Sequence, residues 1–167
     1  MIDVRPGDFA VIKSSSLLGK VITLAESREA LGNPEYIHSF IIAGADGTIL
    51  DTLLKVCWGN LSDYSGVEAL IGRWDGMNDA AFQKGLAAVI ADLGDIYPIS
   101  RLELDALDLG RFVYGSDNDC SERTIKFLHG ASGDPRFAKW AGFMPSDVSD
   151  IILNWKGFSA PFAGVLP

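Results

Sequence analysis

The chain has 167 residues but only two cysteines and two histidines, and this scarcity excludes whole classes of site. A structural zinc site wants four Cys/His ligands at close spacing, and Cys57, Cys120, His38 and His129 are too scattered for a finger or ribbon. Disulfide-stapled secreted scaffolds are small and cysteine-dense, whereas this chain is 48% hydrophobic and long enough to bury its own core. Basic residues are also few, 14 against 22 acidic, for a net charge of -8. With no Lys/Arg cluster to meet phosphates, nucleic acid and anionic membranes are poor partners. No apolar run reaches the roughly 20 residues of a membrane span, and Met1 to Pro6 has neither the basic nor the apolar part of a leader. The expectation is a soluble chain located in the cytoplasm. A phosphate-binding glycine loop, G-x-S-x-G and H-E-x-x-H are missing too, which removes local support for nucleotide, serine-hydrolase and zinc-protease readings.

What is present reads as one domain over residues 1-167, with no linker, repeat or low-complexity tract dividing it. Asp8 to Lys13 form a short apolar run after Pro6-Gly7 and predict a strand, followed by a helix carrying Leu17, Leu18, Val21, Ile22 and Leu24, with N-caps among Ser14 to Ser16. Ile37 to Ala43 and Thr48 to Leu54 flank Gly44-Ala45-Asp46-Gly47 and predict a hairpin. Two further runs, Lys55 to Trp58 and Val67 to Gly72, extend the sheet. Asn78 is placed to cap a helix running to Gly94. Residues 119-129 read as helical, with Gly130 just past the end, and Pro145 to Leu153 as a short helix capped by Ser146 and Asp147. The expected class is α+β, an antiparallel sheet or partial barrel packed against helices.

Cys120 stands where a loop gives way to a helix, in Asp117-Asn118-Asp119-Cys120-Ser121-Glu122. Unpaired amides and the positive dipole end at such a position favour a thiolate and can hold an oxyanion; the neighbouring acids oppose the first effect. A lone cysteine is more often a small buried hydrophobe, so the position needs a base beside it. His129 lies on the same predicted helix, about half a turn round and about 13 Å along the axis, and is directed away. That leaves His38. If the hairpin loop is Gly44 to Gly47, Asp51 falls opposite Phe40, on the face of His38 and one row from it, where a carboxylate could orient the ring. An Asp46-Gly47 turn moves Asp51 one row further away, and a loop of odd length flips it to the other face. Cys57, in an apolar run, reads as structural. The acids Glu103, Asp105 and Asp108 lack calcium-loop spacing and read as a solvated face.

The order of these features resembles the circularly permuted branch of the NlpC-type papain-like superfamily, which contains YiiX-like proteins and the lecithin:retinol acyltransferase-like enzymes. Pro6-Gly7-Asp8-Phe9 is similar to that branch's opening strand, His38 to Gly44 to its His strand, and Val67 to Arg73 to the strand ending in Arg. Gly94-Asp95-Ile96-Tyr97 is similar to its Gly-x-x-Tyr, Asp-Cys-Ser-Glu at 119-122 to its Cys helix, and Met144 to Val148 to its closing turn. The resemblance spans most of the chain. It implies Cys120 as nucleophile, His38 as general base and Asp51 as the third polar residue, with Tyr97 and Ser121 at the substrate cleft or oxyanion position. Asp51 stands where the acyltransferase-like members often carry a second His, and Pro98 follows Tyr97 where an Asp is common. The implied activity is a cysteine peptidase or amidase acting through a thioester, with no metal and no organic cofactor. The implied substrates are peptides, peptidoglycan-like peptides or acyl lipids. Acyl transfer or acyl-lipid hydrolysis on the same fold, and a non-catalytic binding domain, are the alternatives.

Overall fold

The short apolar runs on either side of Gly44 to Gly47 fold as neighbouring strands of one antiparallel sheet. The computed structural model describes residues 2-13, 36-52, 55-95, 120-139 and 142-167. In chain order the elements are β1 (Phe9–Lys13), β2 (Tyr36–Ile42), β3 (Thr48–Thr52), β4 (Val56–Asn60), a 3-10 turn (Leu61–Tyr64) and β5 (Glu68–Trp74). These are followed by α1 (Asp79–Val89), a 3-10 turn (Ile90–Asp92), α2 (Cys120–Ser132), a 3-10 turn (Pro135–Phe137), α3 (Pro145–Asn154) and β6 (Phe158–Val165). The strand order is β4-β3-β2-β1-β5-β6 and every pairing is antiparallel. The class is thus α+β, a six-stranded antiparallel sheet with three α-helices among the described residues. The helix expected over Leu17 to Leu24, the Tyr97 motif and the acids at 103-108 lie outside those residues.

β1 reads as an unbroken apolar run because both of its faces are covered. Phe9 and Val11 join Ile41, Leu50 and Leu70 beneath the helices, where Ile125, Phe127, Leu128, Val148 and Ile151 complete the larger core. Ala10 and Ile12 point the other way, into a second cluster with Phe40, Ile42, Ile49, Tyr64 and Ile71. Each Val, Leu, Ile or Phe side chain among them, fully buried, contributes about 1.5–3 kcal/mol relative to exposure. The opening Asp8 and the strand-end Arg73, 65 residues apart, meet across this sheet: Arg73 Nε donates to Asp8 Oδ1 and Nη2 to Oδ2, both at 2.8 Å.

Several expectations are corrected. α2 does not stop before Gly130 but runs through it to Ser132. A Cβ at Gly130 would come within 2.8 Å of Ala88 Cβ and 3.1 Å of the Lys84 carbonyl, so this glycine serves the close approach of α1 and α2. The helix ends instead at Gly133, whose φ of +66° falls in the left-handed region. The helix capped by Asn78 is α-helical only to Val89 and tightens into a 3-10 turn beyond. At α3, Asp147 accepts from the Met144 amide at 2.8 Å, whereas the Ser146 hydroxyl is buried and caps nothing. β6 has no counterpart in the sequence reading. Its Pro161 argues against a strand, but β6 is an edge, where proline is tolerated.

Candidate active site

β2 and β3 pair over two rungs, Ile41 with Leu50 and Ile42 with Ile49, next to a turn in which the Ala43 and Gly44 amides bond the Thr48 carbonyl. This is the register of the four-residue loop, so Asp51 falls opposite Phe40 and on the face of His38. Past those rungs side chains take over from the ladder. His38 Nε2 lies 2.7 Å from Asp51 Oδ1, which also accepts from the Thr52 amide at 2.6 Å. The other carboxylate oxygen, Oδ2, accepts from the Tyr64 hydroxyl at 2.5 Å.

The first turn of α2 is wedged against both strands. Its Thr124 hydroxyl meets Ser39 of β2 at 3.0 Å, and Arg123 Nη1 donates to Thr52 of β3 at 2.5 Å. From the other side, Glu122 Oε1 accepts from the Gly142 amide at 2.6 Å. Cys120, Ser121, Glu122, Arg123 and Thr124 are all buried. Burying so many polar groups is costly unless they are partnered, and these contacts supply partners to Glu122, Arg123 and Thr124. They also fix the helix start, and with it Cys120, at the strand end that carries His38. Glu122, which the sequence suggested would oppose a thiolate, is turned to the Gly142 amide instead.

The thiol and the imidazole shift each other. Burial disfavours the charged form of both, but the mutual attraction of thiolate and imidazolium outweighs it. For His38, burial is opposed by the Cys120 charge and by hydrogen bonds to Asp51 and Cys120, and the net effect raises it from its ordinary value. For Cys120, burial is opposed by the His38 charge and hydrogen bond, the Ser39 amide and the Ser121 hydroxyl, and the net effect lowers it. Burial pushes Asp51 up, yet the His38 hydrogen bond and charge, the Tyr64 hydroxyl and the Thr52 amide hold it below the usual carboxylate range. Burial and Asp51 push the Tyr64 phenol upward, so it remains a neutral donor. With Nε2 given to Asp51, Nδ1 is the ring nitrogen left for the sulfur.

The structure therefore brings Cys120, His38 and Asp51 together. Ser121 is fully buried, its hydroxyl 3.8 Å from the Cys120 sulfur. Tyr97 lies outside the described residues. His129 is at the far end of α2, its Nδ1 3.1 Å from the Asp134 carbonyl. Cys57 is paired with Asp51 across the β3–β4 ladder, close to the site in register although its sequence context gave no hint of this. Tyr64 was missed as well. The only local signal near it is the capping box of Asn60 and Asp63, which predicts a turn but not what the next side chain touches.

No protein-family model matches the chain, and no curated protein is significantly similar to it in sequence. Among solved structures it is similar to the crystal structure of the metalloprotein YiiX from Escherichia coli O157:H7, DUF1105, with a TM-score of 0.64 and 15% identity over 99% of both chains. At that identity the likeness is one of fold. Among the described residues no three His, Cys, Asp or Glu side chains are grouped so as to hold a metal ion. Both Asp51 oxygens and the facing ring nitrogen are already committed to one another and to Tyr64 and Thr52. The donor set in these residues does not fit a resident metal.

Proposed function

We propose that the chain is a cysteine hydrolase of the permuted NlpC-type papain-like kind, cleaving an amide or related acyl bond of a peptide, peptidoglycan-like peptide or acyl lipid. The observation that carries this reading is the contact order Cys120, His38, Asp51, with the thiol lowered and the imidazole raised by one another. The Cys120 thiolate attacks the carbonyl carbon, and the oxyanion is received at the positive end of α2, by amides of its first turn. Collapse forms a thioester and expels the amine or alcohol, which takes its proton from the His38 imidazolium. Water then attacks the thioester with neutral His38 as base, expelling the thiolate, releasing the acid and restoring the thiolate–imidazolium pair. Asp51 holds the ring through Nε2 in both half-reactions.

Iodoacetamide labelling of Cys120 across pH tests the reading without a known substrate. An ordinary thiol gains reactivity steeply up to about pH 8.5, whereas a thiolate held by His38 labels fast and nearly independently of pH from neutrality upward. Labelling no faster than a free thiol at neutral pH would overturn the reading. Incubation with peptide amides and with acyl-lipid donors, followed by product analysis, then separates hydrolysis from transfer to an acceptor other than water.

A further inference from the structure

Tyr64 occupies a place that neither the sequence nor the likeness to YiiX indicates. It closes the 3-10 turn after β4, where Asn60 accepts from the Ser62 amide and hydroxyl and Asp63 accepts from the Asn60 amide at 2.9 Å. The capping box fixes the turn, and the ring then lies flat on Phe40, with centroids 5.0 Å apart and planes at 13°. The same ring lies 6.2 Å from the His38 ring, and Phe40 lies 6.1 Å from it on another side. The hydroxyl so placed donates to Asp51 Oδ2. Asp51 thus has one oxygen for the imidazole and one for the phenol, which leaves the carboxylate no freedom to rotate away from His38.

Resting on the proposed Cys120–His38–Asp51 reading, we propose that Tyr64 is the positioning residue of the site, a fourth member that locks the Asp51 carboxylate on His38. An Asp51 without this donor rotates about its last bond and takes up a proton at higher pH; once protonated it no longer supports the imidazolium, and the thiolate loses its counter-charge. The titratable groups acting on Asp51 are His38 from β2 and Tyr64 from the turn; Cys120 from α2 acts on His38 and Tyr64, and Asp63 acts on Tyr64 from the same turn. Cys57 adjoins from β4. The change that isolates the hydroxyl is Tyr64→Phe, which keeps the ring stacked on Phe40.

The experiment is the pH profile of Cys120 alkylation by iodoacetamide in four proteins: wild type, Y64F, D51N and the Y64F/D51N double variant. The acid limb is expected to move up by about one pH unit in Y64F, and Y64F is expected to add nothing in the D51N background, because it acts only through Asp51. A Y64F profile that superimposes on wild type, or an equal shift in both backgrounds, overturns the proposal. A merely structural tyrosine would lower the melting temperature and leave the profile in place. Should wild-type Cys120 label as an ordinary thiol, the hydrolase reading falls, and Tyr64 is then judged by carbon NMR titration of Asp51 in the Cys120→Ser protein. A higher Asp51 midpoint in Y64F supports the contact, and an unchanged one overturns it.

Discussion

Asp8 and Asp51 are both buried and each holds a cation, but they do different things with it. Asp8, just before β1, takes the Arg73 guanidinium in two parallel bonds, with the Arg5 amide as a third donor at 2.9 Å. Asp51, on β3, takes an imidazole through one oxygen and a phenol through the other. Arginine does not lose its proton in the accessible range, so the Asp8 pair is a fixed clamp between β1 and β5. The imidazole does lose its proton, and its second nitrogen is left for a thiol at a helix start. The same pairing of charges is thus a brace in one place and, under the proposed function, a proton relay in the other. The difference lies in the partner and in what stands behind it, not in the carboxylate.

Removing the relay's central group should have the largest effect. His38→Ala is expected to lower Cys120 alkylation at neutral pH, and any hydrolytic rate, by about 10²–10⁴-fold, with a melting curve showing that the protein still folds. In that variant the thiol loses its main counter-charge and should titrate higher. Next comes the direct contrast between the two carboxylates. Asp51→Asn is expected to cost about 10–100-fold in reactivity, the equivalent of one charge-assisted hydrogen bond, with the acid limb of the pH profile altered. Asp8→Ala should instead lower stability by about 3 kcal/mol, at the low end for a broken buried pair because Arg73 is partly hydrated, and leave the neutral-pH alkylation rate unchanged. Urea denaturation and alkylation kinetics on the two variants check this, and a reactivity loss in Asp8→Ala would erase the distinction. The smallest effect is expected at the other histidine: His129→Gln should change alkylation less than twofold, since its ring is engaged with the Asp134 carbonyl.

The pH dependence of stability follows from the directions of the same shifts. His38 is raised above its unfolded value of 6.5, so its contribution is full below that value and is lost as pH rises through its folded value. Asp51 is lowered, so its contribution is present above its unfolded value of 3.8 and is lost as pH falls through the folded one. For these two groups both contributions are full between pH 3.8 and 6.5; Cys120, lowered by the same ion pair, contributes fully only above its unfolded value of 9.0 and loses that as pH falls through its folded one.

How much of this was legible in the sequence varies residue by residue. The β2–β3 hairpin, the Asn78 cap and the Cys120 helix start were legible because alternation, capping and turn chemistry act over a few residues. Asp51 was legible only conditionally, since its face depended on the loop length. β6 was hidden by Pro161, because nothing in eight residues tells an edge strand from a loop. The true end of α2 was hidden because Gly130 is a stop signal locally and a helix contact in three dimensions.

Scarcity left two thiols and two imidazoles, and local patterning set aside Cys57 and His129, placing Cys120 at a helix start and His38 on a strand. Tertiary structure alone decided that the first turn of α2 wedges against β2 and β3, that Asp51 faces His38, that Tyr64 takes the remaining oxygen of Asp51, and that Arg73 goes to Asp8 instead. The reason is physical. Periodicity and capping are properties of neighbours along the chain, whereas the partner of a buried charge is settled by which distant segments the packing of the sheet and helices brings within hydrogen-bond reach.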